Sequence, residues 1–321
     1  MDNLFGNYIK YAIDNHCSDL HLDISNDEHC VVAARKRGKV MEIEKINITL
    51  ASRLFNYISY IANIDIINQQ TLNTGMTRYL YKNIVYYLRV SVLFSINSKS
   101  IVIRILNNHQ KITLHNLGMI ENNIKTIKKI LDYKNGLIIF TGKTGAGKTT
   151  TLYALLEEFV KLNNKKIISL EDPIEREIKN ILQINVNTDI ISYFDVLKQV
   201  LRHDPDIIII GEIRDKAELK LAIQAALSGH LVITTMHAIN AKYAINRLLD
   251  LDVNVFDLKA CLKLISYQEL IYLKDKTIKA LYEFIDEMEI NDFIDQKNIN
   301  YITVNQYKSF LKKRIVYDEG K

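Results

Sequence analysis

One stretch limits the fold of this chain more than any other. Residues 142–149 read GKTGAGKT. They follow an apolar run, GLIIFT at 136–141, and open a segment with helical spacing, TTLYALLEEFVKL at 150–162. A glycine-rich loop between a strand and a helix is the context in which the G-x-x-x-x-G-K-[ST] pattern binds phosphate. Its glycines let the backbone turn tightly and aim successive N–H groups inward as an anion nest. The helix N-terminus adds partial positive charge at the same point. In such a loop Lys148 reaches the β- and γ-phosphates and the Thr149 hydroxyl ligates Mg²⁺. The expected ATP contacts are Gly142, Lys143, Thr144, Gly145, Ala146, Gly147, Lys148, Thr149 and Thr150. Only 11 glycines and two prolines occur in 321 residues, so three glycines within this loop stand out.

A phosphate loop of this kind needs a parallel sheet around it. From residue 118 onward, strand-like and helix-like stretches alternate. The strand candidates are GLIIFT (136–141), KIISLE (166–171), DIIIIGE (206–212) and HLVITTMH (230–237). Continuous apolar strands separated by helices imply a sheet covered on both faces, an α/β fold. The tail from Val253 reads as helical and is charged near its end. Residues 1–107 have a different texture, α+β. The first helix places Leu4, Phe5, Tyr8, Tyr11 and Ala12 on one face. Strand candidates follow at 19–25 and around Val31 and Val40, with Gly38 at a turn, then a helix at 50–64. IVYYLRVSVLF and SIVIRIL, separated by SINSK, form a hairpin pattern. Residues 108–117 are polar and unpatterned. The expected organisation is an N-terminal domain at 1–107, a linker at 108–117, and an ATPase domain with a helical tail at 118–321.

Residues 201–215, LRHDPDIIIIGEIRD, narrow the chemistry. Four isoleucines fit a central buried strand ending beside the phosphates. Many P-loop enzymes end that strand in an Asp that helps hold Mg²⁺. Here Gly211 takes that place and Glu212 follows. A carboxylate at the strand end can polarise the attacking water, so Glu212 is the expected catalytic carboxylate and a second metal contact beside Thr149.

This stretch resembles, position for position, the signature of type II secretion and type IV pilus ATPases. SLEDPIE (169–175) is similar to the family's acidic box and SGHLVITTMH (228–237) to its histidine box. LRVS around Arg89 and VIRIL around Arg104 resemble the arginine pair its N-terminal domain offers to the nucleotide. The resemblance runs from about residue 19 to about residue 270. It implies a PAS-like N-terminal domain, a RecA-like ATPase domain, and ATP between the two in a homohexameric ring. It implies that Glu171 and Asp172 place carboxylates near Mg²⁺ or water. By the same resemblance His237 reports on the γ-phosphate, Arg89 and Arg104 stabilise transition-state charge, and Arg202 and Arg214 pair with carboxylates or a neighbouring subunit. His230 is left open. A cytoplasmic location is implied, with membrane attachment through a polytopic inner-membrane platform protein.

Two departures refine the resemblance. The family's paired CxxC cysteines are missing, since only Cys261 lies in that half. Where relatives have a Q-D-G-R turn, this chain reads LNTGM at 72–76. The short form most resembles the traffic ATPase of the Gram-positive competence system, which powers a pseudopilus for DNA uptake. A pilus retraction ATPase is the alternative. From other classes come a RecA-type DNA-translocating ATPase and a nucleotide-binding scaffold without hydrolysis. The first would need basic loops interleaved with aromatics, which the ATPase half does not offer, so no direct nucleic-acid binding is expected. The second would lack the carboxylate that Glu212 supplies.

Composition agrees. A net charge of +5, from 42 basic and 37 acidic residues, is a weak pull toward acidic partners. Three cysteines at unrelated spacings fit a reducing compartment. No apolar run approaches the ~20 residues that span a bilayer.

Overall fold

The computed structural model describes residues 1–25, 29–36, 38–66, 73–95, 97–106, 113–172, 174–186, 193–275 and 277–311. The chain divides into two compact units, 1–111 and 112–321.

The first unit contains α1 (Asp2–Asp14), β1 (Asp19–Ser25), β2 (His29–Lys36), β3 (Lys39–Asn47), α2 (Ile48–Ile61), β4 (Asn73–Tyr81), β5 (Ile84–Phe94) and β6 (Ser98–Leu106). Its six strands pair antiparallel in the order β3-β2-β1-β6-β5-β4. One face packs against both helices. Along β5 the buried residues alternate, Tyr86, Leu88, Val90 and Val92, as a sheet with one covered face requires. Asn47 caps α2, its side chain accepting from the Leu50 N–H at 2.9 Å.

One expectation changes here. The buried stripe of α1 is Phe5, Tyr8, Ile9 and Ala12, while Tyr11 is exposed. The helix is turned so that Ile9, one residue past the expected face, reaches the core. Residues 73–76, where relatives have the Q-D-G-R turn, begin β4 and pair with β5 in register Asn73↔Val92; Leu72 lies outside the described residues.

The second unit opens with a 3₁₀ turn at Leu114–Asn116, closed by a capping box from Thr113. Leu114 is fully buried. Within the expected linker Leu114 is therefore core, while His115 and Asn116 are exposed; its start lies outside the described residues. Then follow α3 (Glu121–Lys128), β7 (Gly136–Thr141), α4 (Lys148–Leu162), β8 (Ile167–Glu171), β9 (Leu182–Asn185), α5 (Tyr193–Leu201), β10 (Ile207–Ile210), α6 (Lys216–Leu227), β11 (Leu231–Met236), α7 (Ala241–Asp250) and α8 (Val255–Cys261). The chain continues with β12 (Leu262–Tyr272), β13 (Ile278–Asp286), α9 (Glu287–Ile294) and α10 (Val304–Leu311). The seven-stranded sheet has the order β13-β12-β7-β11-β10-β8-β9. All its pairs are parallel except β12 with β13.

The helical tail expected from Val253 is thus corrected. Two of its longest elements are strands. β12 lies between β13 and β7, runs parallel to β7 and is buried almost continuously, so its apolar residues lose the alternation that marks a half-buried strand. Pairing with a strand more than a hundred residues earlier decides its conformation, and no local pattern reports that.

Candidate nucleotide site

Because β7, β11, β10 and β8 are parallel neighbours, their C-terminal ends line one edge of the sheet, where open α/β sheets bind ligands. The phosphate loop leaves β7. Glu171 ends β8, Glu212 follows β10, and His237 follows β11. A cleft at this edge is lined by Thr144, Gly145, Lys148, Thr149, Glu171, Glu212 and His237, among others. Lys143 and Thr150 are exposed beside it, and Gly142 and Ala146 are buried beneath it.

Lys148 is the first residue of α4 and is nearly buried. Its Nζ donates to the carbonyls of Gly142 (2.9 Å) and Lys143 (3.1 Å), which folds the loop around the ammonium. Burial pulls its pKa below the usual lysine value, partly opposed by the Glu212 carboxylate.

The two glutamates sit in unlike settings. Glu171 is 8% exposed. Its Oε1 accepts from Ser169 Oγ (2.5 Å) and Gln183 Nε2 (3.0 Å), and its Oε2 accepts from the Tyr153 hydroxyl. Burial, reinforced by the Glu171 charge, pushes the Tyr153 phenol well up, so it remains a donor. Tyr153 also accepts the N–H groups of Glu175 and Arg176 at 3.2 and 3.3 Å. Glu212 is less enclosed. Its Oε1 is 3.1 Å from His237 Nε2, and its Oε2 is 3.6 Å from Arg214 Nε. Arg214 lies 3.9 Å from Asp172. The ends of β10 and β11 are stitched by Thr235, whose Oγ1 donates to Gly211 O (2.7 Å) and whose carbonyl accepts from Ile213 N (2.9 Å). Arg247 on α7 donates to the His237 carbonyl at 2.6 Å. His230 lies at the opposite end of β11, with Nδ1 3.0 Å from Ala225 O, away from the cleft.

Arg89 and Arg104 come together in the first unit. They are direct partners across β5 and β6, and both are exposed. The row continues: Arg104 opposes Asp19 on β1, and Asp19 opposes Arg35 on β2. Arg104 Nε is 2.9 Å from Asp19, and Arg35 Nε is 3.9 Å from it. Three arginines and one aspartate therefore form a lateral stripe on the face away from the helices. Sequence reasoning missed Arg35, which only register brings into line. It also missed Tyr153 and Gln268, whose contacts span 18 to 122 positions of sequence.

A phosphate loop leaving a central strand of a mainly parallel sheet, with carboxylates at the ends of two strands beyond it, defines a P-loop ATPase of RecA-like fold carrying a smaller α+β unit. The chain belongs to the family described as "Type II/IV secretion system protein", whose model it matches over residues 1–311. It is 34% identical over 268 residues to competence protein ComGA of Bacillus subtilis (strain 168), covering 83% of this chain and 75% of that protein. It is 36% identical over 262 residues to type II secretion system protein E of Pectobacterium carotovorum subsp. carotovorum, covering 81% of this chain and 52% of that protein. Among solved structures it is similar to the pilus retraction motor PilT with bound ADP, with a TM-score of 0.78 at 24% identity, covering 98% of this chain and 94% of that one. It is also similar to the Legionella pneumophila ATPase DotB, with a TM-score of 0.73 at 21% identity, covering 95% of this chain and 85% of that one. These two likenesses speak to the fold alone. No helix among the described residues is long and apolar enough to cross a membrane.

Proposed function

We propose that this chain is a cytoplasmic homohexameric motor that couples ATP hydrolysis to assembly of a type IV pilus-like pseudopilus, with DNA uptake in competence as its output. The observation that carries this reading is the similarity to ComGA over three quarters of that protein. The N-terminal unit serves as the PAS-like domain and the second unit as the ATPase domain. Force reaches the pilus through a polytopic platform protein in the inner membrane.

The residues take distinct roles in this reading. The loop N–H groups and Lys148 bind the β- and γ-phosphates. Thr149 and Glu212 offer the oxygen donors that a hard cation prefers. Among the described residues no cluster of three or more His, Cys, Asp or Glu is placed to hold a metal. Mg²⁺ held by these residues would neutralise charge on the phosphates. Glu212 orients and deprotonates the attacking water, and His237, in contact with Glu212, senses loss of the γ-phosphate. Glu171 already accepts three hydrogen bonds and acts from a fixed position. Arg89 and Arg104 add positive charge to the transition state. Like charges directly opposite each other on a sheet are unfavourable, which fits a stripe built to meet an anion.

The test is complementation in the host. Deletion of the gene is expected to abolish DNA uptake and pseudopilus assembly. The wild-type chain restores both and Glu212→Gln restores neither. Uptake that survives the deletion overturns the competence reading, and turnover of the purified chain that rises with DNA supports a translocase instead.

A further inference from the structure

The hairpin of β12 and β13 grips the phosphate loop through one buried side chain. Gln268, on β12, is 2% exposed. Its Nε2 donates to Ala146 O at 2.7 Å, and its Oε1 accepts from Thr151 Oγ1 at 2.8 Å. A main-chain carbonyl can only accept, so the amide has one orientation here. The Thr151 proton is committed to Gln268, so the Tyr282 hydroxyl, 2.8 Å from Thr151 Oγ1, donates to it. A directed chain therefore runs from Tyr282 on β13, through Thr151 on α4 and Gln268, to the loop.

Two loop glycines are shaped to the same residue. A Cβ at Gly142 would stand 2.6 Å from the Gln268 carbonyl oxygen, and one at Gly147 would stand 2.9 Å from Gln268 Nε2. The first contact is with the main chain and would remain with any residue at 268; the second is with the Gln268 side chain itself. The hairpin is itself anchored from the other side. Glu283, next to Tyr282 and pointing to the opposite face, accepts from Ala241 N (2.9 Å) on α7 and Val304 N (3.0 Å) on α10.

The geometry of the peptide bond turns this grip into a constraint on the nucleotide site. In a trans peptide the carbonyl and the following N–H point in opposite directions. The Ala146 carbonyl shares its peptide plane with the Gly147 N–H, a member of the expected anion nest. Holding the carbonyl toward β12 holds that N–H toward the phosphates. The geometry points to Gln268 as a positioning residue for ATP turnover, with the β12–β13 hairpin as the support that keeps the phosphate loop preorganised. This rests on residues 142–149 being the ATP site.

The test uses the full chain, a fluorescent ADP analogue, steady-state ATP kinetics and thermal melts. Gln268→Met keeps the shape and removes both hydrogen bonds. Loss of the bond and a stranded Ala146 carbonyl are expected to raise the KM for ATP and the Kd of the analogue about tenfold, with kcat changed less. Thr151→Val, which leaves the bond to Ala146, is expected to raise KM about threefold, and Thr151→Ser restores the wild-type value. A Gln268→Met chain that melts lower but keeps wild-type KM and Kd overturns the positioning role. Should Gln268→Met not fold, a KM that rises in Thr151→Val and returns in Thr151→Ser supports the role, and equal KM values overturn it. Lys148→Ala separates the two layers. If it binds the analogue normally, the ATP-site assignment falls; if it loses binding while Gln268→Met is wild type, only this inference falls.

Discussion

The two sheets of this protein handle charge in opposite ways. In the first unit, one face of the antiparallel sheet is covered by α1 and α2, and the other carries Arg35, Asp19, Arg104 and Arg89 in a row across four strands. In the second unit β7, β8, β10 and β11 are buried at every position. No charge can sit on those faces, so Glu171, Glu212 and His237 gather at the strand ends. A sheet with a free face recruits chemistry across its strands through register. A sheet without one recruits it at its edge through topology, and the edge is where the phosphate loop and helix α4 supply N–H groups.

The comparison breaks most visibly at the edge. Glu212→Gln is expected to lower kcat by roughly a hundredfold or more while ATP still binds, the scale of a lost general base. A fall of less than about tenfold, roughly 1.4 kcal/mol of barrier, would place the catalytic carboxylate elsewhere. Single-turnover hydrolysis alongside nucleotide binding separates the two effects.

Consecutive strand positions test burial next. Ile208 and Ile209 face opposite sides of β10 and both are fully buried, so Ile208→Ala and Ile209→Ala are each expected to cost about 2–5 kcal/mol in urea denaturation. On β5, Leu88→Ala is expected to cost as much, and the adjacent Arg89→Ala less than about 0.5 kcal/mol. Equal costs at Leu88 and Arg89 would mean that the outer face of the first sheet is not open.

The same contrast explains what the sequence revealed. The phosphate loop, the strand before it and the carboxylate two residues past β10 are local patterns, and each stands where its residues place it. β5 and β6 are legible because one covered face leaves a period of two. β12 is not, because burial on both sides erases the period, and its strand state comes from pairing with β7. Gln268 therefore sat in a stretch read as helical, and nothing local to it announces a contact with Ala146. Arg35 was invisible for a related reason: its place beside Asp19 is a matter of register between β1 and β2.

The smallest expected effect concerns that arginine row. Burial pushes the Asp19 carboxyl up, but hydrogen bonds from Arg104 and Ser18 and the Arg104 charge outweigh it and hold it below the usual carboxylate range. A carboxyl whose folded pKa is depressed adds stability that is fully present above its unfolded value, about 3.9, and is lost as pH falls through the lower folded value. Arg104→Ala removes the main opposing influence and leaves the burial. The Asp19 titration is then expected to move upward, and the acid-induced loss of stability to begin at higher pH. At neutral pH the cost is less than about 1 kcal/mol, because the Arg104 side chain is 60% exposed and solvent screens the pair. Arg89→Ala should leave the titration in place, since among the described residues Arg89 makes no ion pair with Asp19. The carboxyl ¹³C shift of Asp19, followed through acid in the three proteins, reads this directly. Coincident titrations in the wild-type and Arg104→Ala chains would show that Arg104 is not held by Asp19. The stripe would then be a set of independent charges, and both arginines would be equally free to meet an anion.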